Sequence, residues 1–289
     1  MTTEIVKISD DAFYSDGANY WAEIPATVDG MLGGFGFISQ TDIKGSKMLL
    51  KQLFNSKTPP GRKYALDCGA GIGRISKFLL TDLFDKVDLV EQNAAFLQQA
   101  KKYLVPKIEK VGEFYSVGLQ NFQPEARKYD VIWVQWVIGH LTDGDLINFF
   151  ISCRSGLKAN GAIVVKENIT STDEVELDRQ DSSVTRPVAL LRKIFDKAGL
   201  ECYRQSKQTN FPKELYSVYM FVLKPKQTDY ICTNEPEVSD EDVQSKPENK
   251  DTRDSHSDDL ENVYNVIKEN ENCNFQTLHD NTEVPHPED

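Results

Sequence analysis

Histidine is scarce in this 289-residue chain, and so is any paired arrangement of cysteine. There are four histidines, two of them near the extreme C-terminus, and five scattered cysteines (Cys68, Cys153, Cys202, Cys232 and Cys273) without a CxxC pair. No Cys/His spacing suits zinc, and an odd, dispersed set is not a disulfide framework, so a reduced, intracellular protein without a bound metal is expected. No apolar run is long enough to cross a bilayer, and the opening "MTTEIVKISDD" lacks the pattern of a signal peptide, so no membrane role is expected. A basic stripe and a nucleic-acid recognition motif are missing too, which argues against direct nucleic-acid binding. The expected location is the cytoplasm, the nucleus or both. The sequon "NIT" at Asn168 would matter only in a secreted chain.

Apolar residues make up 39% of the chain and the mean hydropathy is −0.47, both low for a wholly folded protein. The averages conceal a division. Up to about Lys226 apolar runs alternate with turn signals, whereas "EPEVSDEDVQSKPENKDTRDSHSDDLEN" offers almost nothing to bury. Residues 227–289 hold 18 acidic and 4 basic residues, −14 in all; with the whole chain at −12, the first 226 residues sit near +2. Such a tail cannot offset the entropy of ordering and is expected to be disordered, with one apolar patch, "LENVYNVIKE", able to form a helix on a partner. Three regions follow: an N-terminal cap and lid over 1–62, a folded domain over 63–226 and the acidic tail over 227–289.

Within 63–226 strand and helix patterns take turns. "YALDCG", "KVDLVEQ", "EFYSVGLQNF", "YDVIWVQWV" and "GAIVVKENI" read as strands. "RISKFLLTDLF", "NAAFLQQAKKYLV", "TDGDLINFFISCRSGL" and "PVALLRKIFDKAGL" read as helices, the second opened by an N-cap asparagine and the last by proline. "LECYRQSKQ" and "ELYSVYMFVLK" are two more strands with no helix between them. Alternation implies a mostly parallel sheet with right-handed crossovers, and the last two strands should pair antiparallel. The expected fold is therefore α/β, a seven-stranded sheet ending in an antiparallel hairpin, with the N-terminal residues as a helical cap.

"LDCGAGIGR" places Gly69, Gly71 and Gly73 between the first strand and the first helix, where glycine lets the backbone approach a ligand and helix N-terminal amides attract negative groups. Glu91 ends the second strand, twenty residues after Gly71, where its carboxylate can accept from both hydroxyls of a ribose. Two cofactors suit that geometry. A dinucleotide site usually spaces its glycines GxGxxG; here the spacing is GxGxG, with Arg74 following and Asp67 inside the strand. With the terminal hairpin, this resembles the class I methyltransferases, and the resemblance implies S-adenosylmethionine as cofactor. It further implies that Arg74 faces the methionine carboxylate, and that Leu119 and Gln120 in "GLQNF" contact the adenine.

The stretch "VIWVQWVIGHL" (131–141) begins as a strand covered on both faces and then places Gln135, Trp136 and His140 where an open α/β sheet binds its ligands. Together with "YW.EIP.TVDGMLGG.G.IS", "ALDCGAGIGRI", "K.N" and "LD..DSSV.R", it resembles the α-N-terminal protein methyltransferases. Those enzymes methylate the free amine of proteins that begin Xaa-Pro-Lys or Xaa-Pro-Arg once the initiator Met is removed. The resemblance covers roughly residues 14–223 and implies a role for each site residue. Gln135 contacts the cofactor, Trp136 offers a flat face to the second-position proline, and His140 or Asp181 takes the amine proton, directly or through water. Asn168 hydrogen-bonds the ammonium or the first peptide group. Asp178 and Asp181 receive the third-position lysine or arginine, Ser183 is a further polar contact, and Tyr216 is the matching position on the last hairpin. "DGMLGGFGFIS" becomes a lid with Leu32 and Ile38 lining the peptide channel, and Trp21 lies near the cofactor.

Plainer roles compete. His140 and Trp136 also suit structural positions, the glycine loop could serve helix packing, and Asp178 and Asp181 suit a helix N-cap, since "DSSV" precedes a helix. Glu91 stands where close relatives often carry Asp, which should alter the ribose geometry slightly. A small-molecule or carboxyl methyltransferase, a non-catalytic S-adenosylmethionine-binding adaptor and an NAD-dependent oxidoreductase are the alternatives. Substrates of the leading kind should have basic N-termini, as many ribosomal and chromatin proteins do.

Overall fold

The alternation seen from residue 64 onward is realised as one sheet. In the computed structural model, which describes residues 9–226, parallel strands β1 (Tyr64–Cys68), β2 (Lys86–Val90), β3 (Val111–Tyr115), β4 (Tyr129–Gln135) and β5 (Leu157–Ile169) form its larger part. Two short strands, β6 (Glu176–Asp178) and β7 (Ser183–Thr185), make a separate antiparallel ribbon. Strands β8 (Leu200–Lys207) and β9 (Ser217–Pro225) complete the seven-stranded sheet in the order β3-β2-β1-β4-β5-β9-β8, and both join antiparallel, as the missing crossover helix requires. The acidic tail, its segment 260–269, Cys232 and Cys273 lie outside the described residues.

Before the sheet come α1 (Asp10–Glu23), α2 (Val28–Met31) and α3 (Ser39–Phe54). A π-helical turn, Ser76–Leu80, runs into α4 (Thr81–Leu83), and α5 (Ala94–Tyr103) is capped by Asn93, whose side chain accepts from the Ala95 and Phe96 N–H groups. Helices α6 (Asp143–Gly156) and α7 (Val188–Lys197) follow β4 and β7.

Strand alternation splits the core into two layers. Ile132 and Val134 of β4 face one layer with Phe149 and Phe150 of α6 and Phe195 of α7. Val131 and Trp133 face the other with Leu49, Leu50 and Leu53 of α3. Each of those leucines is almost fully buried and contributes about 1.5–3 kcal/mol. They hold α3 to the sheet far more firmly than the exposed Lys47–Asp82 pair at 3.1 Å, an arrangement typically worth about 0–1 kcal/mol. The N-terminal segment is thereby fixed beside the carboxyl ends of β1 and β4.

One local expectation fails. "DSSV" does not cap a helix: Asp178 ends β6, Asp181 lies in the ribbon turn, and α7 starts only at Val188, behind Pro187 and without a side-chain cap. Pro187 is itself the N-cap residue and has no side-chain oxygen to accept from the first-turn N–H groups. "EFYSVGLQNF" is also shorter as a strand than expected, ending at Tyr115, with Leu119–Asn121 in a 3-10 turn.

Candidate active site

A cavity opens at the carboxyl ends of β1, β2 and β4, the edge at which open α/β sheets bind their ligands. The glycine loop forms its floor. Gly69 has φ +68° and Gly71 φ +54°. A Cβ on Gly69 would lie 2.6 Å from Cβ of Val137, and one on Gly71 would lie 2.6 Å from Sδ of Met31. Both positions thus need glycine for conformation and for space. Gly73 stands behind the wall, against Leu104 and Leu89.

Glu91 leaves β2 at the cavity edge. Its Oε2 accepts from the Gly71 N–H (3.0 Å) and its Oε1 from the Asn93 N–H (2.8 Å), while burial raises its carboxyl above the usual range. Leu119 and Gln120 line the opposite side. Arg74 reaches the cavity from below, buried, with Nη1 donating to Asp42 Oδ2 (2.8 Å) and Ser39 Oγ (3.3 Å), and its guanidinium carbon 5.6 Å from the Trp136 ring centre. Gln135 also lines it, but both ends of its amide are engaged: Nε2 donates to Asp42 Oδ1 (2.9 Å) and Oε1 accepts from the Trp133 indole (3.0 Å).

Beneath these side chains lies a polar cluster whose members the sequence did not single out. Lys166 of β5 is wholly buried, paired with Asp42 Oδ1 (2.5 Å) and donating to Ser46 Oγ (3.0 Å) and Gln208 Oε1 (2.8 Å). Burial lowers its pKa, with Arg74 adding to the effect and Asp42 opposing it. "VVKEN" resembles any strand that alternates toward solvent, and no short-range signal identifies Lys166 as interior.

The base candidate sits at the cavity mouth, on a 3-10 turn, Ile138–His140, directly after β4. Trp136, between strand and turn, has φ +52°, an uncommon conformation for a bulky residue and one that concentrates at functional sites. His140 Nε2 accepts from the Trp21 indole N–H (2.9 Å), and Nδ1 lies 3.4 Å from the Ser182 carbonyl oxygen. Those partners assign the proton to Nδ1 and a lone pair to Nε2. Burial lowers the His140 pKa, with the Asp181 charge and the Ser182 carbonyl opposing. The ring is therefore neutral at pH 7. Helix α1 packs against this turn: a Cβ on Gly17 would be 3.5 Å from the Asp181 carbonyl oxygen and 3.6 Å from His140 Nδ1. Tyr14 donates to Asp145 Oδ2 (2.5 Å) and accepts from the Thr142 N–H (3.2 Å), fastening the helix there.

The remaining expected residues lie outside the cavity lining. Ser183 Oγ donates to Asp181 Oδ1 (2.6 Å), and Asp178 Oδ1 accepts from the Gln180 N–H (2.8 Å). Tyr216 is half-exposed and donates to Glu176 Oε2 (2.6 Å). Asp178 and Asp181 both act on Tyr20, whose pKa is raised first by burial and then by their charges. Tyr20 and Glu176 thus join the acidic flank although neither was expected. Leu32 and Ile38 are buried, and Met31 is the residue of that segment that lines the cavity. Asn168 is near the end of β5, its N–H donated to Glu167 Oε1 (2.9 Å).

The cavity fits S-adenosylmethionine on observations of its own. The glycine loop leaves room for a close approach at Gly71, Glu91 presents a carboxylate at the end of β2, and the buried Trp136 Nε1 is a donor without a partner among the described residues. The comparisons agree. A family model described as AdoMet dependent proline di-methyltransferase matches residues 9–224. The chain is 48% identical over 227 residues to the N-terminal Xaa-Pro-Lys N-methyltransferase 1 of Xenopus tropicalis, covering 78% of this chain and 100% of that one. It is 46% identical over 223 residues to the alpha N-terminal protein methyltransferase 1 of Drosophila melanogaster, covering 76% and 79%. Among solved structures, a SAM-dependent methyltransferase from Leishmania major superposes with TM-score 0.69 at 36% identity, over 73% of this chain and 83% of that one. A phosphoethanolamine N-methyltransferase from Haemonchus contortus shares the fold at TM-score 0.60 and 16% identity, over 76% and 50%. With residues 9–224 matched by the family model and the Xenopus relative covered over its full length, the chain belongs to the family of AdoMet-dependent proline di-methyltransferases.

Proposed function

We propose that this protein transfers methyl groups from S-adenosylmethionine to the free α-amine of proteins that begin Xaa-Pro-Lys or Xaa-Pro-Arg after removal of the initiator Met. The observation that carries the proposal is His140: a neutral imidazole at the cavity mouth, its Nε2 lone pair held by a single indole N–H, with Asp181 acting on the ring. The cofactor, when bound, supplies an electrophilic methyl group on a sulfonium.

The nucleophile must arrive as a neutral amine. An α-amine has an unperturbed pKa of about 7.7–8.0, so deprotonating it at pH 7 costs roughly 1 kcal/mol; a lysine at about 10.4 would cost roughly 4–5 kcal/mol. A modest base suffices, and a buried histidine of lowered pKa is one. His140 Nε2 exchanges the Trp21 donor for the amine proton, directly or through water. Nδ1–H stays on the Ser182 carbonyl, and the Asp181 carboxylate stabilises the imidazolium that forms.

Trp136 gives the second-position proline a flat face, and its Nε1, without a partner among the described residues, offers a donor to a peptide or cofactor oxygen. Asn168 orients the first peptide group. Asp178, Asp181 and Glu176, with Ser183, Tyr20 and Tyr216 among them, form an acidic flank suited to the third-position cation. In the same reading the substrates are basic N-termini, those of ribosomal and chromatin proteins among them, and the enzyme works in the cytoplasm, the nucleus or both. Methyl transfer to a Ser-Pro-Lys hexapeptide and to its Ser-Pro-Gln copy tests the acidic flank. Transfer should favour the lysine peptide by at least about tenfold; equal transfer to both would remove the flank from recognition and favour a simpler amine substrate.

A further inference from the structure

Two charged side chains outside the catalytic set are committed to the main chain of the turn that carries His140. Glu167, one residue after Lys166 on β5, points to the opposite face of the strand. Its carboxylate accepts from the Val137 N–H (Oε2, 3.2 Å), the Asn168 N–H (Oε1, 2.9 Å) and the Ile138 N–H. Arg186 enters from the segment between β7 and α7 and is 3% exposed. Its Nη1 donates to the Ile138 carbonyl (2.8 Å), Nη2 to the Leu141 carbonyl (2.6 Å) and Nε to Asp143 Oδ1 (2.8 Å).

One side chain thus takes the N–H groups that open the turn and the other supplies donors to carbonyls along and after it. A single 3-10 turn cannot satisfy those groups itself. Burial pushes the Glu167 carboxyl up to about 7, with the three N–H groups and the Arg186 charge opposing. A carboxylate left there without its donors would be costly. The turn is also confined sterically. A Cβ on Gly139 would lie 2.9 Å from the Val184 carbonyl oxygen of β7, and Val137 blocks any side chain at Gly69. A shift of the turn therefore moves the base relative to the glycine loop.

We propose that Glu167 and Arg186 are positioning residues for methyl transfer: together they clamp the Val137–Leu141 backbone and so set the direction of the His140 lone pair. The proposal rests on His140 serving as the base. Its signature is a loss of turnover without a loss of binding, because neither side chain lines the cavity and misdirection of a general base affects the chemical step.

The test uses the full chain with E167Q, R186K and H140Q measured in parallel, taking kcat and KM for a Ser-Pro-Lys hexapeptide. The Kd of S-adenosylmethionine is measured by calorimetry and amide exchange over 137–141 by mass spectrometry. E167Q directs an amide NH2 at backbone donors, and R186K keeps the charge while losing the two-pronged contact. The expected result is a fall in kcat of at least about tenfold in both variants, with KM and Kd within about twofold and faster exchange confined to 137–141. Unchanged kcat in both variants beside an inactive H140Q would overturn the proposal. So would a loss of kcat matched by an equal loss of cofactor binding, which is general damage to the sheet edge. Full turnover in H140Q would instead remove His140 as the base and the proposal with it, a failure told apart from the first by the activity of H140Q itself.

Discussion

Asp42 lies at the centre of the buried cluster under the cavity, and its replacement by asparagine separates two views of what that cluster does. The wild-type carboxylate is fully buried and meets two cations, Lys166 at 2.5 Å and Arg74 at 2.8 Å, as well as the Gln135 amide at 2.9 Å. Asp42→Asn leaves two buried cations without an anion, and breaking a buried pair in this way costs about 3–5 kcal/mol. Lys166→Met leaves the Asp42–Arg74 pair balanced. Its cost is that of unsatisfied groups such as Gln208 Oε1, about 1–3 kcal/mol. A domain of 150–250 residues loses roughly 2–4 °C of Tm per kcal/mol, so Asp42→Asn is expected to lower Tm by roughly 6–20 °C and Lys166→Met by clearly less. Arg74 also loses its anchor in Asp42→Asn, and the Kd of S-adenosylmethionine should rise more in that variant. Thermal unfolding and calorimetric titration of both variants check the ranking. Lys166→Met as damaging as Asp42→Asn would refute the reasoning from charge balance.

Further expectations concern the base and the loop. The acid limb of kcat should lie below the ordinary histidine value of ~6.5, because a lowered pKa keeps His140 neutral to lower pH; a pH–rate profile checks this, and H140Q should reduce kcat by about 10²-fold or more. Trp21→Phe removes a donor to the neutral Nε2, so the His140 pKa should rise, as an NMR titration would record. Gly69→Ala should impair cofactor binding more than Gly71→Ala. Both have positive φ, but the first drives a Cβ into the branched Val137 side chain and the second into the flexible end of Met31; titration calorimetry on both variants decides.

The sheet was legible because its signals are local. β4 reads apolar from Val131 to Val134, as a strand covered on both faces should, and the last two strands have no helix between them, which required the antiparallel hairpin. The glycine loop and Glu91 were legible for the same reason, since strand, loop, helix and acid lie within a short span. The β6–β7 ribbon was not, because strands of three residues carry no alternation to detect, and its polar turn, "DRQDS", resembles the start of a helix. Long-range partnerships were hidden as well. Trp21 and His140 are 119 positions apart and Asp42 and Lys166 are 124 apart, so only the folded chain brings them together. Lys166 and Glu167 sit in a strand whose composition does not reveal that both are committed inward. The resemblance assigns Gln135 to the cofactor and the residue does line the cavity, but the contacts of its amide with Asp42 and Trp133 were not legible in the sequence.

Mass spectrometry of a Ser-Pro-Lys hexapeptide incubated with the full chain and S-adenosylmethionine, beside an N-acetylated copy of the same peptide, tests the α-amine assignment most directly. Mass gains of one to three methyl groups on the free peptide and none on the acetylated one are the expected result. Methylation of the acetylated peptide would move the target to a side chain and contradict the assignment of the α-amine as nucleophile.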